Sequence, residues 1–272
     1  MTAAEEHDQG PRTWHHGLVA RWWAEFNRAD PDELAYFVAA VRRFGEPALD
    51  LACGTGRILV PLLEAGLDVD GIDVSADMLR HAAAAAQAAG MRPTLLRQAL
   101  HELQPPRRYR TIIICDSWGI GGSRSRDREA LRRIHAALEP GGALVLSHDL
   151  PYEDAETWQR WLPGSRSGLP DAWPTSGAPR PMADGTALDL RIRLEALDPA
   201  EQRLTLGIQA RHWRDAELLS LEEMRIDIAL YFRAELVEAI ERAGFHDVEV
   251  QGWYTGQPAL PDDARIVVVA RA

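Results

Sequence analysis

The sequence predicts an α/β fold in which a mainly parallel sheet is covered by helices on both faces. Three observations support this prediction. Residues 48–57 form a short apolar strand that runs into a Gly-x-Gly turn and a helix, and the next strand ends on Asp73. Strand-like and helix-like segments then alternate to about residue 150. Beyond that point, an irregular stretch precedes segments that alternate apolar and polar residues.

The elements of the first half follow from short apolar runs and from apolar residues at helical spacing. Predicted strands cover residues 47–52, 68–73, 94–98, 111–116 and 143–148, and predicted helices cover residues 57–65, 76–89 and 125–138. Gly66 is expected to cap the first of these helices. The segment Glu139–Gly142 (Glu-Pro-Gly-Gly) is expected to end the last helix and to begin the fifth strand.

The second half has a different pattern. Residues 151–187 form a long irregular insertion, rich in proline, glycine and tryptophan. Alternation then predicts three antiparallel strands over residues 188–196, 202–213 and 217–230, followed by a helix over 233–243 and strands over 246–252 and 265–270. We therefore divide the chain into a helical cap (1–45), a core (46–150 and 231–272) and an inserted loop with a lid (151–230).

Composition limits the function classes. The chain has 272 residues, 46% of them hydrophobic, which suffices for one substantial core with a small appended lid. A formal net charge of −11 argues against a nucleic-acid substrate, because binding phosphates needs a basic face. Arginines clustered over residues 107–110 and 124–133 could form a local basic groove, but a solvated loop and an outer helix face explain them more simply.

The two cysteines, Cys53 and Cys115, fall in or beside predicted central strands and lack metal-ligand spacing. Neither a disulfide framework nor a metal site is expected, and a reducing cytoplasm is the expected location. No segment has the apolar length that a membrane span needs, and the first thirty residues lack a secretion signal.

The Gly-x-Gly turn is typical of a ligand site. Gly54 and Gly56 lack Cβ atoms, so a ligand can lie directly against the backbone beside the positive end of a helix. Asp73 follows about twenty residues later, where a carboxylate can accept both ribose hydroxyls; capping the helix that starts near Ser75 is the alternative. A dinucleotide site would need Gly or Ala at Leu59, so that class is disfavoured.

The segment Asp50–Arg57 (Asp-Leu-Ala-Cys-Gly-Thr-Gly-Arg), followed by Gly71–Leu79 (Gly-Ile-Asp-Val-Ser-Ala-Asp-Met-Leu), resembles the class I S-adenosylmethionine-dependent methyltransferases. The resemblance covers residues 45–150 and resumes weakly at the C-terminus. It implies a doubly wound, mostly parallel sheet of seven strands whose last strand is antiparallel. It also implies S-adenosylmethionine as the cofactor, with the three-stranded lid shaping the acceptor pocket.

The resemblance assigns roles to individual residues near the strand ends. Asp73 would accept the ribose hydroxyls, and Val74 and Met78 would pack on the adenine, although Met78 equally fits a buried helix face. The backbone amide of Leu100 would reach the ring. The methionine portion and the mouth of the sheet would be bordered by Asp50, Ala52, Cys53, Gly54, Thr55, Gly56, Cys115 and Asp116.

One position departs from the family pattern. The family commonly has an acid after the third strand that accepts a hydrogen bond from the adenine amino group, and alignment on residues 107–112 places Ala99 there. An alanine side chain cannot accept this bond. Either Gln98, the Ala99 carbonyl, Glu102 or a water molecule therefore replaces the acid, or the base is held less specifically.

The N-terminal segment Trp14–Phe26 is predicted to form an amphipathic helix that closes over the site. Trp14 would help to place an aromatic face near the cationic sulfonium, and Arg21 would lie near the ligand carboxylate. The alternative is that the aromatic residues of this segment only dock the helix on the sheet edge.

Methyl transfer is an in-line displacement, so alignment of the reacting atoms in a dry pocket does most of the catalysis. His148 and Asp149 follow the fifth strand on the expected acceptor side, and His148 could act as a general base. A hydrogen-bonded structural pair is the alternative, and His15 and His16 are comparable base candidates. The acceptor pocket is expected to be lined by Trp118, Tyr152 and Tyr231.

Together these features predict a cytoplasmic methyltransferase that acts on a nitrogen, oxygen or carbon atom of a small molecule. The arrangement resembles bacterial enzymes that methylate amino groups of sugars or amino acids. The Asn-Pro-Pro-aromatic signature of adenine-modifying nucleic-acid enzymes is missing, since strand four ends in Cys115–Trp118. A protein of this fold that catalyses cyclisation or decarboxylation, and a non-catalytic binding module, are the alternatives. No nucleic-acid or membrane partner is expected, and a homodimer is one open assembly.

Overall fold

The computed structural model describes residues 14–152, 155–175 and 179–272. The strands are β1 (Ala48–Leu51), β2 (Val69–Asp73), β3 (Leu95–Arg97), β4 (Tyr109–Ile114), β5 (Leu138–Asp149), β6 (Arg180–Pro181), β7 (Ala187–Asp198), β8 (Arg203–Arg214), β9 (Glu217–Ala229), β10 (His246–Gly252) and β11 (Arg265–Arg271). The α-helices are α1 (Gly17–Phe26), α2 (Pro31–Phe44), α3 (Leu59–Glu64), α4 (Ala76–Ala88), α5 (Arg124–Ala137), α6 (Ala155–Gln159) and α7 (Arg233–Arg242), and Leu100–Glu102 forms a 3₁₀ turn.

The larger sheet confirms the predicted doubly wound architecture. Its seven strands have the order β10-β11-β5-β4-β1-β2-β3, and β11 alone among them runs antiparallel to its neighbours. The strand order reverses between β1 and β4, so the connections that follow these strands leave in opposite directions. Such a reversal opens a crevice at the carboxyl edge of the sheet.

Helices cover both faces of this sheet. On one face Leu131 and Ile134 of α5 pack with α7 against β4 and β5. On the other face Phe37 of α2 and Leu62 of α3 pack against β1 and β4. These side chains are almost fully buried, and each contributes about 1.5–3 kcal/mol of hydrophobic stabilisation. The two packed faces hold the carboxyl edge rigidly in place.

The smaller sheet has four strands in the order β6-β7-β8-β9, one more than the three predicted. The additional strand, β6, pairs with β7 through Arg180 and Pro181 and lies in the stretch predicted to be irregular. The Met182 N–H donates to the Thr186 carbonyl over 2.8 Å and closes the connecting turn. A strand of two residues is too short to show a period of two, so the sequence pattern could not reveal it.

The N-terminal region contains two helices that pack differently. α1 lies within the predicted helix Trp14–Phe26 and contacts α4 and the smaller sheet, whereas α2 packs into the core of the larger sheet. Asp30 caps α2 by accepting from the Asp32 N–H over 2.9 Å. Residues 1–13 of the predicted cap lie outside the described residues. The division into cap, core and lid therefore stays a prediction.

Two boundaries bear on the site. β4 ends at Ile114, two residues earlier than predicted, so Cys115 and Asp116 lie just beyond the strand. Asp116 adopts φ +50°, which turns the chain away from the strand direction. No described helix combines the length and apolar content that crossing a membrane requires.

Candidate active site

A cavity of about 560 Å³ lies at the carboxyl edge of the larger sheet, around the crevice between β1 and β4. Its walls are the segments that follow β1, β2, β3 and β4, the end of β5, the first turns of α5, and the N-terminal segment. Small-molecule sites commonly enclose roughly 300–1,000 Å³. The cavity therefore has room for a ligand of cofactor size.

The two glycines of the turn after β1 serve different purposes. Gly54 has φ +54°, and a Cβ there would meet nothing within 4 Å, so this position opens onto the cavity. Gly56 has φ +84°, and a Cβ there would lie 3.1 Å from Val60 Cγ2 and 3.4 Å from Ala82. Gly56 permits close packing of α3 and α4 and does not line the cavity, contrary to its predicted cofactor contact.

Asp73 joins the end of β2 to this turn. Its Oδ2 accepts from the Gly54 N–H over 2.9 Å, and its Oδ1 accepts from the Ser75 N–H over 2.8 Å. Burial raises the pKa of Asp73, while these hydrogen bonds oppose the rise. Each carboxylate oxygen retains a second acceptor direction, and Asp73 lines the cavity. One side chain can thus hold the local turn and still accept from a ligand hydroxyl.

Asp50 provides an unpaired buried oxygen at the same wall. The residue is 2% exposed, lines the cavity, and its Oδ2 has no hydrogen-bond partner in the described ranges. Burial, partly offset by the charge of Arg57, raises the pKa of Asp50 to about 7. A buried carboxylate oxygen without a partner is destabilising. A cationic group bound in the cavity would relieve that cost.

An ionic cluster that the sequence analysis missed lies beside the turn. Arg57 pairs with the buried Glu33 of α2 and donates from Nη2 to Cys115 Sγ over 3.1 Å. Tyr254 donates its hydroxyl to Glu33 Oε1 over 3.0 Å, and Asp116 lies 3.7 Å from Arg57 Nη2. Arg57 stands inside the glycine motif, so its position offered a signal. Glu33 and Tyr254 offered none, because each is remote from the motif in sequence.

This cluster has a structural character. The Glu33, Cys115 and Asp116 ligand atoms lie within 4.8 Å of one another, a spacing that a metal ion could use, but the Arg57 guanidinium already contacts all three. Burial raises the pKa of Cys115, so its thiol stays protonated and is a weak nucleophile. The cluster therefore fixes the motif arginine.

The N-terminal segment closes one side of the cavity with Trp14, His15 and Trp23. The His15 and Trp23 rings lie 5.2 Å apart. Burial lowers the pKa of His15 to about 4, with a further contribution from His16. Of the two base candidates in this segment, His15 lines the cavity. His16 does not; its Nδ1 lies 3.0 Å from the Trp14 carbonyl oxygen, and the residue precedes α1.

The start of α1 is attached to both halves of the molecule. The Gly17 N–H donates to Asp77 Oδ2 of α4 over 2.7 Å, and the Leu18 N–H donates to Glu222 Oε2 of β9 over 2.7 Å. Arg21, predicted near a ligand carboxylate, instead pairs with Asp184 over 2.6 Å and does not line the cavity. The helix thus bridges the core and the smaller sheet.

The structure does not support His148 as a general base. Its ring is 7% exposed and lies away from the cavity lining, with Nε2 3.1 Å from the Tyr231 carbonyl oxygen. Because a carbonyl oxygen can only accept, Nε2 carries the proton. Burial lowers the pKa of His148 to about 4, so the imidazole is neutral. Asp149, the next residue, does line the cavity.

The three predicted acceptor-pocket residues also lie outside the lining. Trp118 and Tyr231 are 3% exposed and belong to the hydrophobic core, while Tyr152 stacks on Phe232 with centroids 6.0 Å apart. The wall at this place is instead the loop Ser117–Gly121, without Trp118. Gly119 lies against β9: the Ala229 N–H donates to its carbonyl over 2.8 Å, and a Cβ at Gly119 would approach the Ala229 carbonyl oxygen at 2.2 Å.

The remaining predicted cofactor residues fall into two groups. The cavity is lined by Trp14, Asp50, Ala52, Cys53, Gly54, Thr55, Asp73, Val74, Met78, Ala99, Leu100, Cys115 and Asp116, and it is not lined by Gly56, Gln98 or Arg21. Lining residues that the sequence analysis did not predict are Trp23, Asn27, Arg57, Ile58, Ser75, His101, Ser117, Gly119, Ile120, Gly121, Ser123, Arg126, Asp127 and Ala130. Most of these follow β4 or begin α5, where no motif marks them.

A family profile described as a methyltransferase domain matches residues 48–142. This match covers β1 to the start of β5 and includes the glycine turn and Asp73. Residues 48–142 form a methyltransferase domain. The methyltransferase domain supplies most of the strand ends around the cavity, and the N-terminal segment supplies the closing wall.

Individual proteins are similar over different spans. A Geobacillus sp. (strain WCH70) protein with a provisional methyltransferase name is 30% identical over 141 residues, or 49% of this chain and 57% of that protein. A Bacillus subtilis (strain 168) relative is matched over 45% of its length. The chain thus spans about half the length of these two curated relatives.

Two further similarities extend beyond the methyltransferase domain. The dTDP-3-amino-3,4,6-trideoxy-alpha-D-glucopyranose N,N-dimethyltransferase of Streptomyces venezuelae is 24% identical, covering 84% of this chain and 87% of that protein. The crystal structure of an S-adenosylmethionine-dependent methyltransferase from Clostridium acetobutylicum ATCC 824 superposes with a TM-score of 0.71 at 15% identity, covering 93% and 96% of the two chains. At this identity the superposition establishes the fold.

Proposed function

We propose that this protein transfers a methyl group from S-adenosylmethionine to a small molecule. The observation that carries the proposal is the 2.9 Å hydrogen bond from the Gly54 N–H to Asp73 Oδ2. It holds a turn that opens onto the cavity beside a carboxylate that also lines it, inside the methyltransferase domain. An adenosine ligand needs both features, because its ribose hydroxyls require an acceptor and its chain must pass close to the backbone.

The residues present fit each part of this cofactor. The unpartnered Oδ2 of Asp50 suits the ammonium group of the amino-acid portion. The open face of Gly54 allows that portion to lie against the backbone. Val74 and Met78 offer an apolar surface to the base, and Trp14 offers an aromatic ring to a cationic sulfur.

When bound, S-adenosylmethionine supplies an electrophilic methyl group on a cationic sulfur. The chain then has to align an acceptor with that methyl and exclude water. Trp14, His15 and Trp23 close the cavity from the N-terminal side, and the loop Ser117–Gly121 with Asp149 forms the wall available to the acceptor. Orientation of this kind can supply about 7–11 kcal/mol of the barrier reduction.

For the acceptor we infer an amine. The Streptomyces venezuelae relative, by its name, dimethylates the amino group of a nucleotide-linked sugar. Asp149 lines the acceptor wall and can accept an N–H from an amine. An amine attacks only when it is neutral. His15 lines the same cavity, but burial lowers its pKa to about 4, which makes its imidazole a weak acceptor for the amine's proton.

The test combines binding with product detection. Calorimetry should show binding of S-adenosylmethionine and S-adenosylhomocysteine, and mass spectrometry should show a +14 product from an amino-sugar nucleotide but not from its hydroxy counterpart. Asp73→Ala should weaken cofactor binding, whereas the matched control Asp262→Ala, at an exposed acid away from the cavity, should not.

Each failure has a separate meaning. No binding of either cofactor form to the wild-type chain would overturn the proposal. Binding without any +14 product from amine, hydroxyl or carbon acceptors would favour a non-methylating reaction. A +14 product on the hydroxy sugar alone would keep methyl transfer and overturn the amine assignment.

A further inference from the structure

The cavity has an end formed by two packed elements, the 3₁₀ turn after β3 and the first turns of α5. Ala99, Leu100 and His101 line it from the turn, and Asp127 and Ala130 line it from α5. Leu100 packs against the hydrophobic cluster that contains Ala130. These contacts place the Asp127 turn of α5 beside the backbone of the 3₁₀ turn.

The two side chains predicted to accept near the 3₁₀ turn, Gln98 and Glu102, do not line this end of the cavity. Gln98 donates to the Gln104 carbonyl over 3.1 Å and accepts from the Gln104 N–H over 2.9 Å, and it does not line the cavity. The Glu102 side chain is 70% exposed, lies 3.8 Å from His101 and also does not line the cavity. Gln98 and Glu102, the two side chains predicted to replace an acid at Ala99, are therefore directed elsewhere.

Asp127 is the carboxylate that does line this end. It is 9% exposed, and its Oδ2 accepts from the Tyr231 hydroxyl over 2.8 Å. Among the described residues no hydrogen bond reaches its Oδ1, and the residue lines the cavity. Asp127 and Ala130 are one helical turn apart, so they share the face of α5 that meets the cavity.

Tyr231 holds this carboxylate in one orientation. The Tyr231 carbonyl contacts His148 Nε2 at 3.1 Å, and the Arg124 guanidinium lies 4.3 Å from the centroid of its ring. Tyr231 is thus held through its carbonyl, its ring and its hydroxyl. Oδ2 of Asp127 stays occupied by the hydroxyl, and Oδ1 remains the oxygen that can accept another hydrogen bond. A preorganised acceptor recognises a donor with little entropic cost.

We propose that Asp127 accepts the hydrogen bond of the exocyclic amino group of the cofactor's purine and so selects a 6-aminopurine. The inference rests on the proposed function, since it assumes that S-adenosylmethionine occupies the cavity. A hydrogen bond to a charged acceptor contributes about 1.5–3 kcal/mol. An amino group that is buried without such an acceptor therefore loses roughly 10–150-fold in affinity. Asp127 supplies from α5 the hydrogen-bond acceptor that the Ala99 side chain lacks.

The experiment is a double-mutant cycle between protein and ligand. Dissociation constants are measured by calorimetry for S-adenosylhomocysteine and for its analogue with hydrogen in place of the amino group. The wild-type chain should bind the analogue roughly 10–150-fold more weakly. In Asp127→Ala the two ligands should bind alike. Glu129→Ala is the matched control on α5, because Glu129 pairs with Arg133 and does not line the cavity; it should keep the wild-type ratio.

A second variant covers the case in which Asp127→Ala does not fold. In Asp127→Asn the amide oxygen can keep the Tyr231 hydroxyl and the amide N–H₂ then faces the base, so the 6-oxopurine analogue should gain affinity relative to S-adenosylhomocysteine. If the wild-type chain binds S-adenosylhomocysteine but does not distinguish the analogues, or if Asp127→Ala retains the ratio, the inference is overturned. If the wild-type chain binds no form of the ligand, the proposed function itself fails.

Discussion

The hydroxyl of Tyr254 donates a hydrogen bond to Glu33 Oε1 over 3.0 Å, although 221 residues separate the two in the chain. Glu33 is 3% exposed and also pairs with Arg57 of the glycine motif. One buried carboxylate thus ties α2, the turn after β1 and the segment after β10 together. The wall of the candidate site therefore depends on segments from both ends of the described chain.

Breaking the Glu33–Arg57 ion pair should lower the free energy of unfolding far more than breaking an ion pair on the surface. Glu33→Gln removes the charge that compensates Arg57, whose side chain is only 16% exposed. We expect the free energy of unfolding to fall by about 3–5 kcal/mol, measured by denaturant titration. The control Glu238→Gln breaks the exposed pair with Arg242 and should cost about 0–1 kcal/mol. Similar losses in both variants would contradict the buried-pair interpretation.

The two glycines of the turn should respond differently to a methyl group. Gly56→Ala places a Cβ 3.1 Å from Val60 at φ +84°, so we expect about 1–3 kcal/mol of destabilisation by thermal and chemical unfolding. Gly54→Ala places its Cβ in open space at φ +54°, where the strain is smaller, about 1–2 kcal/mol. The main effect of Gly54→Ala should be weaker binding of S-adenosylhomocysteine, measured by calorimetry. A Gly54→Ala chain with wild-type affinity would show that no ligand approaches this backbone.

A side chain at Gly17 should loosen the attachment of α1, because the Glu222 carboxylate that accepts from the Leu18 N–H would have to move aside. A Cβ at Gly17 would lie 2.1 Å from Glu222 Oε2, and the residue adopts φ +55°. We expect Gly17→Ala to raise the dissociation constant of the cofactor by about tenfold, which corresponds to ~1.4 kcal/mol, because Trp14, His15 and Trp23 would no longer close the cavity. Gly90→Ala is the matched control, since Gly90 has φ +75° and open space around it. Equal effects of the two substitutions would mean that strain, and not the position of α1, is responsible.

Stability should depend on pH through His148. Burial lowers its pKa to about 4 in the folded chain, against about 6.5 when unfolded. Between these values the unfolded chain binds the extra proton, so this contribution is fully present above pH 6.5 and is lost as the pH falls toward 4. From pH 7 to pH 5 the loss should be about 2 kcal/mol.

The variant His148→Asn isolates this effect. The difference in unfolding free energy between the wild-type chain and the variant should shrink on going from pH 7 to pH 5. Asp50 and Asp127, whose pKa values burial raises to about 7 and about 6, act in the opposite direction, but they are present in both proteins. A difference that stays constant with pH would show that His148 is accessible to protons in the folded chain.

Much of the larger sheet was predictable because its signals are local. The apolar run of β1, the glycine spacing and Asp73 lie within 26 residues counted from 48 to 73, and each reports on backbone geometry that neighbouring residues dictate. The short strand β6 was not predictable, because two residues carry no period. Strand four was predicted over residues 111–116 but forms over Tyr109–Ile114, two residues earlier, because the chain turns at Asp116 with φ +50°.

The candidate site likewise contains residues that the sequence could predict and residues that it could not. The sequence predicted which residues of the turn after β1 and of the end of β2 line the cavity. It could do so because the turn motif sets the direction of the chain where a strand ends. It could not predict that Trp118, Tyr152 and Tyr231 face the core, or that Gly119, Asp127 and Asp149 line the same cavity. Those orientations depend on how α5, β9 and the return to α7 pack on one another.

The order of amino acids was sufficient for the α/β class, for the glycine turn and for the acid that accompanies it, since short-range periodicity and backbone freedom specify them. Long-range packing chose which polar groups face the cavity. Glu33, Arg57 and Tyr254 meet because three segments converge on one buried charge, and Asp127 lines the cavity while Tyr231 holds one of its oxygens. Contacts between residues so far apart in the chain leave no periodic trace in sequence, because they are selected by the free energy of the assembled core.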